Sequence, residues 1–166
     1  MKIRKAEERD IARLLEIYNY EVENGVATLD LRPKKMPEWE VWFSAHNVDN
    51  HPLYVAEVDN RVAGYASLSS YREKEAYRTT VELSVYIAPE HRGCGIATAL
   101  MEALLSYAVE CEDIHTVVSV ITAGNEASRR LHERFGFTFC GTIREVGKKH
   151  GAYRDIENYQ LITGNK

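Results

Sequence analysis

The sequence predicts a single α+β domain, a mixed and mostly antiparallel sheet flanked by helices, and three observations predict it. Apolar spacing switches repeatedly between a period of two and a period near 3.6, so strands and helices alternate along the chain. The 166 residues, 45% hydrophobic and 28% charged, suit one soluble domain with one core. The four prolines and ten glycines are scattered singly, so no linker or repeat divides the chain.

After a short alternating start at Lys2 to Lys5, Ile11, Leu14, Leu15 and Tyr18 recur at i, i+3, i+4 and i+7, the mark of a helix with one buried face. A shorter helix follows Pro37, a residue suited to a first helical position, and its Trp39, Trp42 and Phe43 read as core packing. Leu53 to Val58 and Arg61 to Tyr71 then read as a hairpin turning at Asp59-Asn60. In Thr80 to Ile87, Val81, Leu83, Val85 and Ile87 alternate with Thr80, Glu82, Ser84 and Tyr86, and Pro89 closes the strand. A helix with Ile96, Ala99, Leu100, Ala103, Leu104 and Tyr107 on one face follows. A strand at Thr116 to Ile121, a helix from Asn125 to Phe135 and two strands around Lys149-His150-Gly151 complete the order βααβββαβαββ.

Composition excludes several functions. Twenty-one Lys and Arg against 25 Asp and Glu give a net charge of −4 with no block of five or more like charges, which disfavours a basic nucleic-acid face. The N-terminus MKIRKAEERD is charged where a signal peptide would turn apolar, and no apolar run reaches membrane-spanning length, so the expectation is a cytoplasmic protein without membrane partners. Cys94, Cys111 and Cys140 form no CxxC pair and read as free thiols, and no metal-ligand spacing is visible, so no metal is expected.

Two segments carry chemistry. Val85-Tyr86-Ile87-Ala88-Pro89-Glu90-His91-Arg92-Gly93-Cys94-Gly95-Ile96-Ala97 runs from a strand through a glycine-containing turn into an amphipathic helix. The first N–H groups of that helix lack partners and its dipole favours an anion, so phosphates suit the place, with Arg92 adding a positive charge. A tight turn needing glycine for conformational reasons explains the same residues. Neither the dinucleotide GxGxxG nor the P-loop spacing is present. Asn125 to Phe137 is the second segment. Asn125, Ser128 and His132 share one helix face while Ala127, Leu131 and Phe135 form the apolar one, leaving Asn125 as N-cap, ligand or both, and His132 as a surface histidine or a functional one.

Arg92-x-x-Gly95-x-Ala97 resembles the Arg/Gln-x-x-Gly-x-Gly/Ala signature of the GNAT superfamily of acyl-CoA N-acyltransferases, and Asn125 to Phe137 is similar to its later motif, with His132 where tyrosine usually stands. The resemblance implies the fold of that superfamily and acetyl-CoA as co-substrate. It implies that the backbone of Gly93, Cys94, Gly95, Ile96, Ala97 and Thr98 holds the pyrophosphate, that Val85, Tyr86 and Ile87 pair with the pantetheine arm, that Asn125 contacts it with Ser128 on the same face, and that His132 lies beside the thioester sulfur.

Acetyl transfer to an amine needs an unprotonated nitrogen, and an α-amino group is mostly ammonium at neutral pH, so a base is required. Glu82, on the face opposite Val81 and Leu83, is the candidate; as a solvated edge-strand charge it would do nothing, whereas buried beside the substrate its pKa would rise to a useful value. His132 is open as acid, base or positioning group. Cys94, inside the phosphate turn, is a poor nucleophile candidate, so direct attack in a ternary complex is expected. Ile17-Tyr18-Asn19, Val26 to Asp30, Thr80 to Tyr86 and Val146 to Asp155 together resemble the phosphinothricin and methionine sulfoximine acetyltransferases, which also carry this glutamate and histidine. That implies a small amino-acid acceptor and a homodimer. Arg72 and Arg78, in a charged loop, are candidates to grip a substrate carboxylate or phosphinate. The alternatives are an acetyltransferase for protein N-termini or polyamines, and a non-catalytic acyl-CoA sensor.

Overall fold

The computed structural model describes residues 1–164. Seven strands form one sheet in the order β1-β2-β3-β4-β5-β7-β6: β1 (Lys2–Lys5), β2 (Leu53–Val58), β3 (Arg61–Ser70), β4 (Thr80–Ile87), β5 (Thr116–Thr122), β6 (Thr138–Lys149) and β7 (Ala152–Ile162). Every neighbouring pair is antiparallel except β4 with β5. The helices are α1 (Ile11–Asn24), α2 (Met36–Ser44), α3 (Ile96–Glu110) and α4 (Glu126–Arg134). The expected element order holds throughout, with boundaries moved by a residue or two.

Turn chemistry sets the hairpins. Asp59 and Asn60 both take positive φ (49° and 62°), the two-residue turn whose twist matches the strands it joins, and Asn tolerates that conformation. His150 (51°) and Gly151 (73°) repeat the device between β6 and β7.

Two clusters of buried side chains cover the two faces of the sheet. α3 lays Ile96, Leu100, Met101, Leu104, Leu105 and Ala108 against Ala66, Leu68, Val81, Leu83, Val117 and Ile121. On the other face α1 and α2 bring Leu14, Ile17 and Trp39 over Leu53, Val55 and Tyr65. Both faces of β3 are therefore covered, and its residues from Val62 to Leu68 are buried without a break.

α4 departs from expectation. Its only buried residue is His132, at 3% exposure, while Ala127 is exposed and Leu131 and Phe135 are partly covered. Leu131 and Phe135 still pack against the α3-side cluster as their spacing predicts, and His132 turns inward as well, because a histidine satisfied at both ring nitrogens loses little on burial. A surface role for His132 is thereby excluded.

Candidate active site

The site begins where β4 and β5 part. Their parallel pairing runs only through Thr80–Thr116, Val81–Val117 and Glu82–Val118, although β4 continues to Ile87 and β5 to Thr122. Beyond Glu82 the strands splay, and the β5-facing backbone groups of β4 need partners from elsewhere. A 720 Å³ cavity fills the gap, lined by Val85, Tyr86, Ile87, Arg92, Gly93, Gly95, Ile96, Ala97, Thr98, Asn125, Ser128 and His132 among others. The structure thus brings together the turn, the strand and the second helix that sequence spacing could only name separately. Cys94 is the exception: its side chain is exposed and does not line the cavity.

At the turn, Gly93 and Gly95 have φ of 75° and 77°, and a Cβ built on either meets no atom within 4 Å. The glycines answer a backbone need, as the plain turn explanation holds, and they also leave the approach to the start of α3 open. Arg92 is not a free cation. Its guanidinium lies 3.0 Å from the Glu21 carboxylate, so its charge is already matched. The cations that sequence reasoning missed are on α4: Arg130 and Arg134 line the same cavity, and Arg134 donates to Thr98 Oγ1 at 2.8 Å across it. Their i, i+4 spacing was the available signal.

On α4, Asn125 Oδ1 accepts from Ser128 N at 3.2 Å, so it is the N-cap as well as a cavity residue. His132 Nδ1 faces the Ser128 carbonyl at 2.7 Å, and its Nε2 lies 2.6 Å from Ser119 Oγ. A carbonyl only accepts, so Nδ1 carries hydrogen. Burial pushes the imidazole pKa down, against the pull of the Ser128 carbonyl, so the neutral ring takes the Ser119 hydroxyl hydrogen at Nε2.

A second cavity of 640 Å³ lies on the α1–α2 face of the sheet. Antiparallel register sets Ser69 opposite Glu82, Ser67 opposite Ser84 and Tyr65 opposite Tyr86, and all six side chains line it. Glu82 belongs to the fourth of seven strands, so it is not a solvated edge charge, and burial raises its pKa. The two cavities share Ala27, Ser84, Tyr86, Val120 and Thr122 and so meet through the splay.

Trp39, Trp42 and Tyr18 close the second cavity, with Trp39 stacked on Trp42 at 4.2 Å and on Tyr18 at 4.7 Å between ring centres. The tryptophans are core residues, as expected, and cavity walls too. Trp39 Nε1 and Tyr65 OH are buried there with no hydrogen-bond partner from the described residues of the protein. Among the described residues the cation lining this cavity is Lys34, 3.6 Å from Asp30. Arg72 and Arg78 are exposed and line neither cavity. Their loop folds back on itself, with a turn at Glu75–Tyr77, Tyr71 packed edge-on to Tyr77 and Arg72 over the Tyr71 ring.

The segment 25–34 lines the second cavity with Ala27, Thr28, Leu29, Asp30 and Lys34, reaches the first through Ala27, and is held by three side-chain contacts to its carbonyls. Lys149, 2% exposed, donates to the Thr28 carbonyl at 2.7 Å, Thr122 donates to the Val26 carbonyl at 2.6 Å, and His150 Nε2 lies 3.2 Å from the Gly25 carbonyl.

Comparison with known proteins bears on this arrangement. Residues 13–137 match the model of the acetyltransferase (GNAT) family. A phosphinothricin N-acetyltransferase of Streptomyces coelicolor is 40% identical over 96% of this chain and 95% of its own length. An L-methionine sulfoximine/L-methionine sulfone acetyltransferase of Pseudomonas paraeruginosa is 37% identical over 96% and 92%. Among solved structures, a ribosomal-protein-alanine N-acetyltransferase of Brucella melitensis superposes with a TM-score of 0.93 at 40% identity, covering 98% of this chain and 99% of that one. A phosphinothricin acetyltransferase of Sinorhizobium meliloti in complex with acetyl-CoA gives 0.91 at 34% identity, covering 97% and 87%.

Proposed function

The chain belongs to the acetyltransferase (GNAT) family, and from that membership we propose that it transfers the acetyl group of acetyl-CoA to the α-amino group of a small amino acid or analogue of the phosphinothricin or methionine sulfoximine kind. The observation that carries this reading is the meeting of the two cavities at Ser84 and Tyr86, directly beyond Glu82. A long donor fits the splayed gap and the glycine turn, and a small acceptor fits the aromatic-walled cavity.

Glu82 is the base. Its half-buried carboxyl, lifted above the ordinary range, takes a proton from the acceptor ammonium, directly or through one water. The amine nitrogen then attacks the thioester carbonyl, the C–N bond forms as the C–S bond breaks, and the sulfur leaves with its electron pair; the nitrogen, cationic after attack, gives its surplus proton to solvent and the thiolate takes one from solvent, leaving the amide and the free thiol. A free β4 backbone N–H near Val85 is placed to stabilise the developing oxyanion. Of the roles open to His132, positioning has the most support: a neutral ring already holding the Ser119 hydrogen has no spare proton to give.

Wild-type protein with acetyl-CoA should release coenzyme A thiol in the presence of L-methionine sulfone or phosphinothricin faster than with spermidine or an alanine-initiated peptide. A peptide turned over best would favour the second reading, raised by the Brucella relative. We also propose a homodimer, supported by the exposed apolar side chains Phe139, Ile143, Val146 and Tyr153 on the β6–β7 hairpin at the sheet's edge.

A further inference from the structure

His46 sits just beyond α2 at 6% exposure, with both ring nitrogens engaged. Nδ1 lies 2.8 Å from the Trp42 carbonyl and Nε2 lies 2.7 Å from Ser69 Oγ. The carbonyl can only accept, so Nδ1 carries hydrogen. In the neutral ring Nε2 is bare, and the hydrogen between Nε2 and Oγ must come from the serine. The Ser69 lone pairs are then the part of that hydroxyl left for other partners. Ser69 lines the acceptor cavity directly across the β3–β4 ladder from Glu82, where opposed Cβ atoms lie about 4.5–5.5 Å apart.

We propose that Ser69 is a second receiver of the acceptor's amino group beside Glu82, and that His46 is the positioning residue that makes Ser69 a hydrogen-bond acceptor. The inference rests on the acetyltransferase reading above and on Glu82 as base. An ammonium arriving between the two residues gives one N–H to the Glu82 carboxylate and one to Ser69 Oγ. After Glu82 takes its proton, the freed lone pair lies where that N–H was; the remaining N–H stays on Ser69 Oγ, keeping the lone pair off the serine while the amine turns about this bond to bring it toward the gap where the two cavities join. A serine free to rotate would offer its own hydrogen to that lone pair and quench the nucleophile.

The surroundings favour a neutral His46. Burial disfavours its charged form, the nearby His51 acts in the same direction, and the Trp42 carbonyl opposes both. The Trp42 ring covers one side of the imidazole, 4.4 Å between centres, Glu82 stands beyond Ser69, and Lys34, Asp30 and Glu38 lie further along the cavity wall. His132 and Ser119 repeat the same geometry at the donor cavity, where a helix carbonyl four residues back again sets the tautomer.

The test combines steady-state kinetics, on whichever of those four amines wild-type protein turns over best, with long-range ¹H–¹⁵N NMR of the His46 ring. At neutral pH the ring should show hydrogen on Nδ1 and none on Nε2. Ser69→Ala and His46→Leu should each lower kcat/KM for the amine by about tenfold or more, the worth of a hydrogen bond to a charged donor, while KM for acetyl-CoA stays within about twofold. His46→Gln, whose amide oxygen can take the serine hydrogen, should recover most of the loss. A proton on Nε2, wild-type kcat/KM in Ser69→Ala, or equal losses in the Leu and Gln variants would overturn the assignment. A polyamine turned over best would refute the proposed acceptor class and leave Ser69 still measurable, and turnover of none of the four amines would overturn the acetyltransferase reading and the role of Ser69 with it.

Discussion

At the scale of single residues the chemistry rests on a few buried polar groups whose surroundings set their protonation. Glu82 is lifted by burial, so the folded protein holds its proton to a higher pH than the unfolded chain does. Stability therefore falls as pH rises from the unfolded value through the folded one and stays lower above it. Glu82→Gln should melt at a higher temperature than wild type at pH 7–8, and the difference should vanish below about pH 4, where both chains are neutral at this position. The same variant should lose about 10²–10⁴-fold in kcat and the Glu82-dependent rise of kcat with pH, with acetyl-CoA affinity little changed. An unchanged pH profile would remove Glu82 as the base. For His132 the positioning role predicts that kcat retains its acid limb in His132→Gln, because no imidazolium is being titrated; loss of a limb near neutrality would return it to acid–base duty. Glu82 was legible in the sequence because it is the one charged residue of an alternating strand. His46 and Ser69 were not, since a histidine in a loop and a serine in a strand carry no signal until tertiary packing places them 2.7 Å apart.

At the scale of elements, the turn into α3 and the pinned segment 25–34 frame the site. Gly95 combines positive φ with open space, so Gly95→Val adds both backbone strain and a side chain over the N-terminus of α3. Acetyl-CoA affinity should fall by at least about 100-fold, read by titration calorimetry, while circular dichroism shows a folded protein; tight binding would place the phosphates elsewhere. Lys149 shows how an unremarkable surface-type residue becomes structural. Lys149→Met keeps the stem, removes the hydrogen bond to the Thr28 carbonyl and leaves that oxygen short of a partner, at about 1–3 kcal/mol. A fall in Tm of several degrees is expected for a chain of this size, together with a higher KM for the amine, because five residues of segment 25–34 line the second cavity. The sequence reads the Lys149 turn correctly and says nothing of its load, as the carbonyl it serves lies 121 residues away.

At the scale of the whole molecule, the net charge of −4 offers no general attraction for a polyanionic donor, and the matched Arg92–Glu21 pair weakens the local case that sequence alone makes for Arg92. The helix terminus after Gly95 and the cations Arg130 and Arg134 have to supply the local field. The exposed stripe on β6 and β7 predicts a dimer in solution, and Val146→Lys with Tyr153→Lys should shift light-scattering mass toward the monomer. Unchanged mass would place any interface elsewhere. Element order, the two hairpin turns, the glycine turn and the two half-site motifs were determined by the sequence itself, because periodicity, turn propensity and helix-end chemistry are local properties. The parting of β4 from β5, the burial of His132, the Ser–His pairs, the aromatic wall and the distance of Arg72 and Arg78 from both cavities were decided only by tertiary structure. Each of these depends on what packs against a residue from far along the chain, and on which backbone groups find partners there.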